Sequence, residues 1–241
     1  MNGYFEVYRE ARGRIVDVVR GCSAEQLARK VPGCPKWSVA DTVAHLAAAA
    51  ADVAAGTLTT VPDEEHTAAQ VAQRRGRTLD EVIAEWDEAC GELADWGSSA
   101  GPVEQAVPAR RLPAAMVHDV LTHEADIRGA LGAGRPPDAA WEASLSIMLR
   151  HPERLKHLPH LTVRAGAHEF TVGSGEPAAT LAVDPYEFWR AQVGRRSRAQ
   201  MAGWQWSGDP APYLRAIPVF GPTDTDLTEP VTPVRSPGTG G

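Results

Sequence analysis

The sequence predicts an α+β chain, with a four-helix bundle over residues 1–150 and a small α+β domain over residues 151–221. Three observations carry this reading. Apolar residues recur at i, i+3 and i+4 through four long N-terminal segments. Short runs of β-type residues bounded by glycine begin near residue 160, and the last twenty residues break up into proline and glycine. Residues 222–241, with Pro222, Pro230, Pro233, Pro237 and a Gly-Gly end, read as a disordered tail.

The elements follow in order. Phe5, Tyr8, Ile15, Val16 and Val19 lie near helical spacing, giving a first helix over residues 3–19 that Gly21 ends. Pro32-Gly33-Cys34-Pro35 is a loop, and Ser38 with Asp41 has the form of a capping box opening a second helix over residues 39–55. Residues 57–66 are polar, contain Pro62 and read as a loop. Thr78 with Glu81 repeats the capping signal, and Leu79, Val82, Ile83, Trp86, Cys90 and Leu93 trace a third helix ending before Gly97. A fourth helix over residues 113–131 has proline in its first turn and Gly132 just past its end, and a shorter fifth spans 138–150. Residues 161–164 and 168–172 then read as a hairpin, with a third strand at 179–183. Asp184-Pro185 caps a helix stopped by Gly194, and Asp209-Pro210 opens a last one.

Composition excludes several classes. With 24 Lys and Arg against 31 Asp and Glu, the chain has no basic surplus to neutralise a phosphate backbone, so nucleic acid is not an expected partner. The most apolar run, residues 39–55, is interrupted by Asp41, His45 and Asp52, which argues against a membrane span. Glu6, Arg9 and Glu10 stand where a signal peptide needs apolar residues. Cys22, Cys34 and Cys90 form no CxxC, so neither a structural zinc motif nor a disulfide framework is expected, and free thiols without an export signal point to the cytoplasm. A monomer and a homodimer are both open. No Gly-rich phosphate loop, GxSxG elbow or HExxH is present.

Helical geometry singles out a few polar residues. At about 100° per residue, with His123 at zero, Met116, Val120, Ile127 and Leu131 fall at roughly +20° to +80°, the apolar stripe of the fourth helix. Asp119 and Asp126 flank His123 on the margin of that stripe, while His118 points to the opposite side. His45 occupies the same marginal position on the second helix. If the two helices are neighbours, His45, Asp119 and His123 converge inside the bundle and suit a catalytic divalent ion such as zinc, with Asp126 behind them fixing a histidine tautomer. The competing reading is hydrogen-bonded structural histidines and an ion pair on a wet helix face. Glu124 falls inside the apolar arc and needs a partner; Arg128, one turn on, is the expected one, ahead of a role as fourth ligand. Arg195, Arg196 and Arg198 follow the helix stop at Gly194, where their forks could bind a carboxylate or simply complement the helix dipole. Trp37, Trp86, Trp96, Trp189, Trp204 and Trp206 read as core and interdomain packing.

Three stretches carry a family resemblance. They are Cys34-Pro35-Lys36-Trp37-Ser38-Val39 continuing to His45-Leu46; His118-Asp119-Val120-Leu121-Thr122-His123-Glu124-Ala125-Asp126-Ile127-Arg128; and Gly194-Arg195-Arg196-Ser197-Arg198-Ala199 with Trp206-Ser207-Gly208-Asp209-Pro210 after it. Together they resemble the actinobacterial mycothiol-dependent maleylpyruvate isomerase-like family, part of the DinB-like superfamily of metal-binding four-helix bundles. The resemblance implies a DinB-like bundle followed by a sterol-carrier-like α+β domain. It implies metal ligands at His45, Asp119 and His123, although family members often have Glu where Asp119 stands. It also implies mycothiol as cosubstrate, activated as thiolate by a divalent metal, zinc being the expected one, for isomerisation or S-transfer on a small electrophile. Arg195 is the expected catalytic arginine by its place in the Gly-Arg motif, with Arg196 and Arg198 as substrate-binding candidates. Two other readings fit the same residues: the fold recruited to a different biosynthetic step, or a non-catalytic small-molecule or metal-binding protein.

Overall fold

In a computed structural model, which describes residues 2–58, 62–94, 112–149 and 155–229, two compact units divide the chain, one built on Met1–Pro136 and one on Pro137–Thr228. The first unit opens with α1 (Asn2–Arg20) and a single helical turn, α2 (Ala24–Leu27), followed by a two-stranded antiparallel ribbon of β1 (Lys30–Val31) and β2 (Cys34–Ser38). Ser38 ends the ribbon and starts α3 (Val39–Ala54). Its side chain accepts from Asp41 N at 3.1 Å while Asp41 Oδ2 accepts from Ser38 N at 2.9 Å, so the capping box read in the sequence is made. The same reciprocal pattern joins Thr78 and Glu81 ahead of α5 (Leu79–Ala94).

Between them lies α4 (Glu64–Arg74), where the sequence reading had a loop up to residue 66 and no helix after it. Its signal was present: Asp63 caps it by accepting from His66 N, and Glu64 and Glu65 occupy a first turn that favours negative charge. Arg74 anchors this helix to α5 by a paired contact with Glu85, 3.0 Å from Nε and 2.5 Å from Nη2, and Arg77 reaches the same carboxylate at 2.6 Å. The last helix of the unit is α6 (Leu112–Leu131).

Helices α1, α3, α5 and α6 form the four-helix bundle: α1 packs on α5 and α6, and α3 packs on α5 and α6. Ile15, Val43, Leu46, Ile83, Trp86, Val120 and Leu121 fill its core. Buried polar contacts join its helices. Trp86 Nε1 donates to Tyr8 OH at 2.8 Å across α5 and α1. Glu124, completely buried, accepts two bonds from Arg14 at 2.8 and 2.7 Å and a third from Arg128 at 3.1 Å. Arg128 is the partner that helical spacing predicted; Arg14, 110 residues away, is not visible from spacing.

The second unit begins with α7 (Asp138–Leu149), so this helix groups with the α+β part, ahead of the expected boundary at residue 150. The reason is aromatic packing: Trp141 stacks on Trp189 of α8 (Pro185–Gln192), whose indole nitrogen donates to Ser144 at 2.9 Å. The mixed sheet has the order β4-β3-β5-β6, made of β3 (Pro159–Ala165), β4 (His168–Val172), β5 (Ser174–Val183) and β6 (Gln205–Ser207), with only β3 and β5 parallel. Gly173 carries the chain from β4 past the start of β3; at φ +83° its Cβ would stand 2.2 Å from Pro159 O, so no other residue fits. Leu161, Val163 and Leu181 of the sheet and Phe188 and Trp189 of α8 are fully enclosed.

The Asp209-Pro210 signal does not open a helix; turns run from Ala211 to Ala216, and the short helix of this region is α9 (Arg198–Ala202), capped by Ser197. The segment after Pro222 also differs from a disordered tail as far as residue 229. Thr223 N donates to Arg196 O, Asp226 accepts from Ser197 Oγ, and Leu227 O accepts from Gln200. Residues 230–241 lie outside the described residues, as does His151. No described helix is long and apolar enough to cross a membrane.

Glu85 gives the fold a pH signature. Burial pushes its carboxyl up, but the hydrogen bonds and charges of Arg74 and Arg77 outweigh this and hold it below the usual carboxylate range. A depressed folded-state value contributes stability above the unfolded value and loses it as pH falls through the folded one. The stability gap between wild type and Glu85→Gln, measured by urea unfolding across pH, is therefore expected to be full at neutral pH and to close under acid. A gap that does not change with pH would contradict this anchoring.

Candidate metal centre

Helix α6 is buried on every side from Val120 to Ile127, so its ionisable residues enter the bundle whichever way they point. His123 lies inside it, and α3 places His45 against it; the two imidazoles meet edge to face with ring centres 5.4 Å apart. Asp119, one turn before His123, stands between them: Oδ2 is 3.5 Å from His45 Nε2 and Oδ1 is 3.5 Å from His123 Nε2. The donor atoms of the three residues all lie within 4.8 Å of one another. Both histidines are nearly buried, whereas the Asp119 side chain keeps 39% of its surface exposed and opens the cluster to solvent.

Each histidine is backed on its other nitrogen by an oxygen. His45 Nδ1 lies 3.0 Å from Gln70 Oε1, and His123 Nδ1 lies 3.1 Å from Asp126 Oδ2. An oxygen of this kind only accepts, so each Nδ1 carries the hydrogen, and in the neutral rings both Nε2 atoms present lone pairs toward a carboxylate. Two nitrogen lone pairs and an anionic oxygen facing one point repel unless something positive lies among them. Protons can do this: burial lowers the affinity of His123 for a proton, but Asp126 and then Cys34 and Asp119 outweigh it and lift its pKa to about 10. Asp119 is held in the opposite direction, well below the carboxylate range; burial pushes it up, but the His45 hydrogen bond and the charges of His123 and His45 prevail.

A divalent cation does the same more directly, and the spacing fits one. Ligands about 2.0–2.1 Å from a tetrahedral zinc ion stand roughly 3.4 Å from each other, close to the two separations here. The short Asp119 side chain therefore reaches both histidines without a glutamate's extra methylene. Asp126 sits where a carboxylate behind a ligand histidine fixes its tautomer.

Three neighbours of this cluster were not picked out by sequence as part of it. Gln70 comes from α4, the helix the sequence reading lacked. Trp37, read as packing, lies 4.7 Å from the His45 ring and 5.9 Å from the His123 ring. Cys34 Sγ approaches Asp126 Oδ2 at 3.8 Å and forms a second possible donor set with His123 and Asp126. Trp37 and Cys34 both belong to β2, immediately ahead of the α3 cap, and their place in the Cys34-to-Leu46 segment was the available signal.

A model of the mycothiol maleylpyruvate isomerase N-terminal domain family matches residues 8–128, which include His45, Asp119, His123 and Asp126. The chain belongs to this family. Two crystal structures of a mycothiol-dependent maleylpyruvate isomerase share the fold over most of this chain, one of them of a mutant with a histidine replaced by alanine. The mutant structure is 14% identical over 85% of this chain and 92% of its own, with a TM-score of 0.58. The other is 14% identical over 80% and 88%, with a TM-score of 0.55. Curated protein sequences give no match. The family's fold is thus present from the bundle through the C-terminal α+β part.

The candidate arginines lie in the second unit. Arg196 is almost fully enclosed and spends its guanidinium locally: Nε and Nη2 meet Glu187 at 2.5 and 2.9 Å, and Nη1 donates to Arg195 O at 2.6 Å. It clamps α8 to the loop before α9. Arg195 is also buried and donates from Nη1 to Val193 O at 2.7 Å, whereas Arg198 is exposed on the first turn of α9. Glu187→Ala, which removes two charge-assisted bonds from the enclosed Arg196 guanidinium, is expected to cost about 3 kcal/mol in urea unfolding. Equal stability of variant and wild type would return Arg196 to the pool of ligand-binding residues.

Proposed function

We propose that this protein is a divalent-metal enzyme that uses mycothiol as cosubstrate for isomerisation or S-transfer on a small electrophile. The observation that carries the reading is the convergence of His45 Nε2, His123 Nε2 and both Asp119 oxygens, with an acceptor behind each Nδ1. Family membership supports the thiol, because the matched domain is that of a mycothiol-dependent isomerase. Zinc suits two imidazoles, one carboxylate and an open position, and a divalent ion held there would keep a coordinated thiol ionised at neutral pH.

The protein's own residues have separate tasks in this reading. His45 and His123 supply neutral nitrogens, and Asp119 supplies the one negative charge, leaving the site with an affinity for cations. Asp126 holds the hydrogen of His123 on Nδ1 so that Nε2 stays available. Trp37 walls both rings on one side, and the partly exposed Asp119 edge is the side from which thiol and electrophile enter. Arg195 is assigned to hold a carboxylate or carbonyl of the electrophile, on the strength of its place in the Gly194-Arg195 motif, with exposed Arg198 as the second candidate. Arg196, committed to Glu187, is not assigned to substrate.

The test is metal content by mass spectrometry on tag-free wild type, His45→Ala and His123→Ala, followed by mycothiol-dependent turnover of maleylpyruvate and of simple electrophiles. One divalent ion per chain is expected in wild type and none in either variant, with turnover falling about 100-fold or more in both. Wild type that takes up no ion after reconstitution, or His123→Ala with full turnover, overturns the assignment.

A further inference from the structure

Behind Gln70, the acceptor for His45 Nδ1, stands a second layer that none of the chemistry above uses. Gln70 Nε2 donates to Asp52 Oδ2 at 2.6 Å, and the exposed His66 reaches the same oxygen through Nε2 at 3.0 Å. Gln70 is buried, with 4% of its surface exposed, so its amide has no water to turn toward. The Gln70 backbone oxygen is pinned by Arg74 Nη1 at 3.0 Å, and Arg74 is in turn locked to Glu85.

A side-chain amide has two ends of nearly equal shape and opposite hydrogen-bonding character. Which end faces His45 decides which nitrogen of that ring holds the hydrogen. With the oxygen toward His45, Nδ1 is the donor and Nε2 is left as a lone pair facing Asp119. With the amide turned over, its NH2 group would demand a lone pair on Nδ1 and put the hydrogen on Nε2, inside the cluster. A carboxylate only accepts, so Asp52 leaves one choice: the NH2 end faces Asp52 and the oxygen faces His45.

We propose that Asp52 is a positioning residue for the metal centre, acting through Gln70 to fix the orientation of the amide and thereby the tautomer of His45. This rests on the metal reading above. Asp52 touches neither Asp119 nor the histidines of the cluster, and it lies on α3 two turns beyond His45, facing α4. The two ligand histidines are thus oriented by different devices: His123 by a carboxylate directly, and His45 by a carboxylate acting through a neutral amide.

Asp52→Asn tests this with almost no change of shape. Asparagine can offer Gln70 either a donor or an acceptor, so the amide loses its fixed sense. Zinc affinity, measured by competition with a chromophoric chelator, is expected to fall about 10-fold in Asp52→Asn and at least as far in Gln70→Leu. His66→Ala, which removes the other partner of the same oxygen, is expected to keep wild-type affinity. The melting temperature of each metal-free variant checks that the bundle is intact. Nitrogen-15 spectra of the His45 ring supply an independent readout, with Nδ1 expected to carry the hydrogen in wild type with or without zinc. Unchanged affinity in Asp52→Asn, or a bare Nδ1 in wild type, overturns the proposal. Wild type that binds no zinc at all sinks the metal reading instead, and the Nδ1 spectrum of the metal-free protein then still decides the orientation of Gln70.

Discussion

Helix α6 carries His123, Glu124 and Asp126 through an interior where an unpaired charge costs several kcal/mol, and the rest of the first unit is arranged around that constraint. Glu124 is answered by Arg14 from α1 and Arg128 from its own helix, which ties α1 to α6 with a two-pronged contact. Asp126 is answered by His123 and by the Cys34 thiol, which ties α6 to the β-ribbon. His123 is left with one nitrogen satisfied and the other facing Asp119. The partners of the first two residues are supplied by the fold. The third is completed only where His45 and Asp119 meet it, so the place where the bundle's polar accounting stays open is also the place fitted to a ligand from outside.

The opposed shifts of His123 and Asp119 express the same fact electrostatically. Each is driven toward its charged form by the others although burial opposes it in both, so the cluster stores attraction for a positive charge. A proton on His123 or a divalent ion relieves it. Neutral imidazoles are the form that binds metal, so a cation and the protons on the Nε2 atoms compete for the same lone pairs. The Nδ1 hydrogens do not enter that competition, because Gln70 and Asp126 hold them on the outer side of the rings.

Much of this was legible from residue order. The α3 and α5 caps are local hydrogen-bond patterns three residues long, and the structure makes both as written. His45, Asp119 and His123 were recoverable because a 3.6-residue repeat places them beside the apolar stripes of two long helices. Arg14 was not, because its partner lies 110 residues away and no helical period connects them. Gln70 was lost with α4, whose exposed, polar composition hides a helix that only its Asp63 cap and acidic first turn announce. The Asp209-Pro210 pair failed in the other direction: a cap and a proline open a helix only when an apolar face follows. Pro212 and the turns to Ala216 offer none, although Tyr213 and Ile217 are buried singly. The α7 helix was found but grouped by sequence proximity with the bundle, whereas Trp141 and Ser144 commit it to α8.

The length of one side chain bears on the family's chemistry. A glutamate at position 119 would reach across the bundle with an extra methylene and more rotamers to restrain. The aspartate present here already stands 3.5 Å from both ring nitrogens, so the helices themselves must supply the approach that a longer side chain would otherwise make. That places a tighter demand on α3 and α6 than a glutamate would, since a helix shift of about 1 Å cannot be absorbed by a side chain with so few rotatable bonds.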